Sequence, residues 1–142
     1  MWKIGPTGVF DRKVKWYQKK KKAELTAVLN NLTTFVLSLR SGRKPKPFAY
    51  GFLHAEPSDI IAIDQKGAGS KLAATRLYVY PEIVTNTLYL PTIGGKPSQP
   101  ADIEDCKRFV AQIKAESPRR EGGSDEGEEG DGEAGAWWRV NR

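Results

Sequence analysis

Arg76, Tyr78 and Tyr80 recur every second residue along Thr75-Arg76-Leu77-Tyr78-Val79-Tyr80, a stretch that alternates as a half-buried strand does. Side chains two apart on a strand share a face, so these three lie together while Leu77 and Val79 take the other side. The apolar pair suits a core, which leaves the arginine and tyrosines for a polar groove. A turn over residues 81–86 and a second apolar run, Thr87-Leu88-Tyr89-Leu90, lead to Ile93-Gly94-Gly95-Lys96. Lysine behind a glycine pair sits where backbone can approach a phosphate. Arginine and lysine stabilise phosphate charge, and tyrosine stacks on bases or assists proton transfer. His54, the only histidine, is of the residue type best suited to proton exchange at neutral pH. Arg76, Tyr78, Tyr80, Lys96 and His54 are therefore the catalytic candidates for chemistry on RNA. Each also has a structural reading: strand propensity for the tyrosines, a turn lysine, a strand-end histidine.

Charge agrees with an anionic partner. Residues 1–120 carry 21 Lys and Arg against 10 Asp and Glu, a net +11, whereas residues 121–142 carry 2 against 7, a net −5. A body so basic attracts polyanions, nucleic acid first among them, although a solvated basic surface accounts for the count as well. The densest groups are Lys19-Lys20-Lys21-Lys22 and Arg43, Lys44 and Lys46, the nucleic-acid-binding candidates.

Composition excludes several other classes. Cys106 is the single cysteine, so neither a disulfide framework nor a cysteine zinc cluster is available. One histidine and no suitable carboxylate spacing predict no metal. The glycines at 67–69 do not stand between a strand and a helix as a dinucleotide fingerprint requires, and no cofactor is expected. No apolar run approaches the roughly 20 residues of a membrane span, and Met1-Trp2-Lys3-Ile4-Gly5-Pro6 has no signal-peptide core. The expected location is the cytoplasm.

The elements that must position these groups are legible in the pattern. Asp11 caps a short helix through Lys20, with Val14 and Tyr17 inward. Residues 23–39 form the clearest helix, its stripe Leu25, Val28, Leu29, Leu32, Val36 and Leu39 recurring at three and four, with Ser41-Gly42 as its stop. The lysine run is the elbow of this helical hairpin. Arg43-Lys44-Pro45-Lys46-Pro47 is an extended connector, because proline lacks the helical donor. Strands are expected over 48–55, 60–63, 75–80 and 87–90. A last helix over 102–115 buries Ile103, Cys106, Phe109, Val110 and Ile113. The fold class is α+β: two N-terminal helices packed on a small antiparallel sheet of about four strands, with a C-terminal helix. The domain covers 1–116. Residues 117–142 form an acidic Gly/Glu-rich tail too polar to bury a core, expected to be disordered, with the aromatic end Ala136-Trp137-Trp138-Arg139-Val140.

This order of elements resembles the RelE/ParE toxin superfamily, including its HigB-like branch, over about residues 10–115. Trp16-Tyr17 before the lysine elbow resembles the first-helix motif, residues 24–42 the second helix and its glycine stop. Residues 75–80 resemble the arginine-bearing strand, and Gly94-Gly95-Lys96 with Asp102-Ile103 the last strand and tail helix. The chain departs from the pattern in lacking an arginine over 60–65, in a longer 48–70 stretch, and in the acidic tail. The resemblance implies the toxin of a type II toxin–antitoxin pair, most simply a metal-independent endoribonuclease acting on mRNA with or on the ribosome. The RNA 2′-hydroxyl would attack the adjacent phosphate while the protein supplies base, acid and cationic stabiliser. It also implies a small antitoxin partner with a DNA-binding domain, and no membrane. Two alternatives remain: a non-catalytic nucleic-acid-binding protein, and a ParE-like inhibitor of gyrase.

Overall fold

The computed structural model describes residues 1–67 and 71–122, with side chains through Glu116. Three helices and one five-stranded sheet make an α+β domain. Strand β1 (Lys3–Pro6) leads into α1 (Gly8–Lys20) and α2 (Lys22–Arg40). Then come β2 (Leu53–Ala55), β3 (Ile61–Ile63), β4 (Thr75–Glu82), β5 (Thr87–Gly95) and α3 (Gln99–Gly122). The sheet order is β1-β5-β4-β3-β2. All pairs are antiparallel except β1 with β5, which is parallel.

The helical hairpin lies on one face of the sheet. Its stripe, joined by Phe35, meets Ile61, Ile63, Leu77, Val79, Leu88, Leu90 and Ile93 in the main core. Helix α3 covers the opposite face, where Cys106, Val110 and Ile113 pack on Ile60, Ala62, Tyr78 and Tyr80. The sheet is thus sandwiched between helices, and both of its faces are buried over most of their extent.

Several expectations are corrected. The sheet is mixed and has a fifth strand, since Lys3–Pro6 pairs with β5. Of the strand expected over 48–55 only Leu53–Ala55 forms, after turns and bends beneath the prolines of the connector. The cap of α1 is Thr7, not Asp11: its hydroxyl accepts the Phe10 amide at 3.1 Å and donates to the Pro91 carbonyl at 2.9 Å, tying the helix start to β5. Strand β4 runs on through Pro81 and Glu82, so the turn is confined to 83–86. The stop of α2 is as expected. Gly42 has φ +102°, its amide bonds the Leu39 carbonyl, and the Arg43 amide bonds that of Ser38, the paired pattern of a Schellman end. Helix α3 continues through Gly122. The expected disordered tail beyond that point, and most of the glycine loop at 67–70, lie outside the described residues. Among the described residues no helix is long and apolar enough to cross a membrane.

Candidate nucleic-acid interface

One end of the sheet collects the candidate chemistry. Antiparallel register sets Arg76 opposite Gly94 and Thr75 opposite Gly95, so β4 begins where β5 ends. Ile63 pairs with both Leu77 and Leu53, which places Asp64 and His54 at the same end. The hairpin elbow arrives there too. Lys21 lines a cleft with Gly94 and Gly95, and the Glu24 carboxylate accepts the Ala73 amide at 3.0 Å. That amide bond, with smaller help from Lys21, holds the Glu24 carboxyl below its ordinary value. Lys19, Lys20 and Lys22 are exposed around it.

His54, Ala62 and Tyr78 are register partners, so they form one row on the α3 face, and Arg76 shares that face two residues from Tyr78. His54 Nε2 lies 2.6 Å from Asp64 Oδ2, an imidazole 27% exposed against a carboxylate 8% exposed. Asp64 is itself fixed. Its Oδ1 accepts the Lys66 amide at 2.8 Å, and its carbonyl accepts Asn31 Nδ2 at 2.8 Å. A buried carboxylate on one ring nitrogen orients the imidazole. Arg76 is two strands away, about 10 Å. Its guanidinium donates to Glu56 at 3.1 Å, so it reaches the site already paired.

Of the five catalytic candidates, the structure brings His54 and Arg76 to one partly open face. Tyr78 and Tyr80 share it but are shut in, 0% and 6% exposed beneath α3, so the expected polar groove does not extend to them. Burial, then the negative charge of Asp102, raises the Tyr78 phenol far above its ordinary range; burial and Glu82 raise Tyr80. Neither phenol supplies a base near neutrality. The Tyr78 hydroxyl also lacks a hydrogen-bond partner. An unmet buried donor costs about 1–3 kcal/mol. Tyr78→Phe is therefore expected to stabilise the domain by about 1 kcal/mol in urea unfolding; a loss of stability would show that the hydroxyl is bonded after all. Lys96 is exposed at the head of the short 3₁₀ turn Lys96–Ser98. Its glycines lie within β5 rather than forming a hinge.

The binding candidates separate into two groups. The elbow lysines lie at the site, but Arg43, Lys44 and Lys46 follow the far end of α2, 19 residues or about 28 Å along the helix. Pro45 and Pro47 there line a different cavity with residues 80–84.

Sequence reasoning missed a third cluster. Lys13 reaches from α1 past the outer edge of β5, where pairing with β1 stops at Leu90. Its ammonium donates to Thr92 Oγ1 at 2.9 Å and Asp102 Oδ1 at 3.2 Å; Ser98 Oγ donates to Asp102 Oδ2 at 2.7 Å. Asp102 is 1% exposed in the first turn of α3, where the helix dipole favours its charge. The carboxylate clamps both helical layers to β5, and its field acts on its neighbours. Together with burial, which contributes most, it pushes the Cys106 thiol up to about 12 and raises the Tyr17 phenol. Ser98 and Asp102, four apart at a helix start, carried the available signal. Among the described residues no three His, Cys, Asp or Glu side chains converge to hold a metal.

Fold and site define a small α+β domain in which one end of the sheet carries a histidine–aspartate pair and, two strands away on the same face, an arginine paired with Glu56. No protein-family model, curated protein or solved structure matches the chain.

Proposed function

We propose that the protein binds single-stranded RNA at the elbow end of its sheet and cleaves it without a metal, as the toxin of a type II toxin–antitoxin pair acting on mRNA with or on the ribosome. The observation that carries this reading is His54, braced by buried Asp64 and sharing a sheet face with Arg76, at the end where the elbow lysines gather. His54 moves the proton of the attacking 2′-hydroxyl or the leaving oxygen, and Arg76 opposes the charge that builds on the phosphate. A small antitoxin with a DNA-binding domain is the partner this reading requires.

The test is RNA binding and cleavage by the full chain across salt, with and without chelator. If the four elbow lysines each neutralise one phosphate, affinity should fall about 50-fold between roughly 50 and 200 mM salt, because log K for single strands drops about 0.7 per phosphate for each tenfold rise. Glutamine at Lys19, Lys20, Lys21 and Lys22 should flatten that slope. Cleavage should be indifferent to chelator. Salt-independent affinity rejects the interface, and chelator-sensitive cleavage rejects the chemistry.

A second reading, nucleic-acid binding without catalysis, is favoured by one observation: Glu56 already occupies the Arg76 guanidinium. Under that reading RNA is bound with the same salt dependence and is never cut.

A further inference from the structure

A cleft of about 420 Å³ opens between α1 and the outer edge of β5, lined by Lys13, Trp16, Tyr17, Lys21, Pro97 and the glycines of β5. It lies on the opposite side of β5's end from His54, three strands away in the sheet order or about 15 Å. Nothing in the cleavage chemistry uses it.

Its construction is specific. Trp16 is 50% exposed, whereas Trp2 is buried. The indole stands edge-on to the buried Tyr17, centroids 5.1 Å apart at 75°. Gly94 and Gly95 put bare backbone on the cleft wall, and a side chain at Gly95 would meet its nearest neighbour only at 3.5 Å. Among the described residues the outer edge of β5 pairs with no strand past Leu90, so over residues 93–95 the alternate backbone groups not turned to β4 lie on the outer edge of the sheet. The charges are sorted as well. Lys13 is committed to Asp102 and Thr92, and Ser98 to Asp102 and the Gly95 carbonyl. Lys21, whose charge also acts on Glu24, lies at the rim in sequence with the exposed elbow lysines.

A half-exposed aromatic face, a flat glycine wall and a rim lysine fit a planar, hydrogen-bonding group that carries a phosphate. We infer that the cleft is a nucleobase subsite: one unpaired base of a bound RNA stacks on Trp16, its edge reads β5 backbone, and its phosphate meets Lys21. Stacking on an aromatic face is tolerant of base identity and adds affinity to an electrostatic interface. The subsite holds the strand outside the reacting face, so a cut at His54 falls a few nucleotides from the anchored base. This deepens the RNA reading above and rests on it.

The experiment compares three polyanions on the full chain at low salt: an RNA of about ten nucleotides, a sugar–phosphate oligomer of equal length without bases, and inorganic polyphosphate. Trp16→Ala should weaken RNA binding about tenfold, leave the two baseless ligands unchanged, and be largely rescued by Trp16→Phe. Gly95→Val fills the same cleft from the sheet without touching the indole and should show the same selectivity, which keeps the test decisive should loss of Trp16 disturb α1. Equal weakening on all three ligands, or none on RNA with both variants, overturns the subsite while the RNA reading stands. A native chain that binds no RNA removes the reading and the subsite together.

Discussion

Alanine at Gly94 is expected to cost the fold about 3 kcal/mol, from one added methyl group. Its Cβ would stand 2.1 Å from Asp102 Oδ2 and 2.5 Å from Ser98 Oγ. Neither neighbour can yield cheaply, because both oxygens belong to the clamp that Lys13 closes across the edge of β5. Overpacking a tight site costs about 1–3 kcal/mol. Driving a buried carboxylate off its partner costs about 3–5 kcal/mol when both charges are buried, and less here because the Lys13 side chain is 36% exposed. The lower chain entropy of alanine returns under about 1 kcal/mol. The thermal midpoint should drop by roughly 10 °C. Gly95→Ala, one residue on, where a Cβ meets its nearest neighbour at an ordinary contact distance of 3.5 Å, should change it by little. The cause can be isolated: with Asp102→Ala the obstructing oxygen is gone, so the double variant should be more stable than the sum of the singles by at least about 1 kcal/mol. Additive losses would show that the clash is not what makes Gly94 necessary.

How far the sequence reaches is visible in the same residues. The six-residue stripe of α2 was readable because 3.6-residue periodicity and core burial coincide, and all six positions are buried. Strand β1 was not readable. Lys3-Ile4-Gly5-Pro6 holds two residues that strands avoid, and it pairs only because β5 offers an edge and Gly5 lets Tyr89 lie 3.0 Å from where a Cβ would be. Alternation correctly put Arg76, Tyr78 and Tyr80 on one face, but alternation does not say what covers a face. The stripe of α3 had to be buried somewhere, and the same tyrosines were the surface it took. The cluster at Thr92 depends on an irregularity no propensity reports. The β4–β5 register shifts between Tyr78 and Tyr80, so Tyr80 pairs with Tyr89 but Tyr78 with Thr92. One extra residue, Leu90 and Pro91 together opposing Val79, resets the alternation, sending Ile93 to the hairpin side and Thr92 and Gly94 toward Asp102. His54 was chosen by residue type alone. Asp64, which gives it direction, is an acid after a short apolar run, a pattern found at many strand ends.

Replacing His54 with alanine should lower the RNA cleavage rate by about 10²–10⁴-fold, the range a positioned acid or base contributes, while RNA affinity stays near that of the native chain. The separation follows from placement. His54 sits on the α3 face of the edge strand β2, whereas the lysines proposed to meet phosphate lie on the elbow of the helical hairpin. Asp64→Asn should fall between native and His54→Ala. It keeps the shape and the Lys66 amide bond but removes the anion 2.6 Å from the imidazole. Arg76→Ala should cost about 10²–10³-fold, and it also strands Glu56, 13% exposed, without its partner. Glu56→Gln is therefore the cleaner probe of the arginine. It keeps the side-chain shape and releases the guanidinium, so phosphate affinity should rise, and cleavage with it if Arg76 acts on the reacting phosphate. The four rates and four affinities, measured on one RNA, divide the two readings. Cleavage collapsing with His54→Ala at near-native affinity, and rising together with affinity in Glu56→Gln, means catalysis at this face. Affinity rising with Glu56→Gln while no variant changes an absent cleavage means a binding protein whose arginine is held in check.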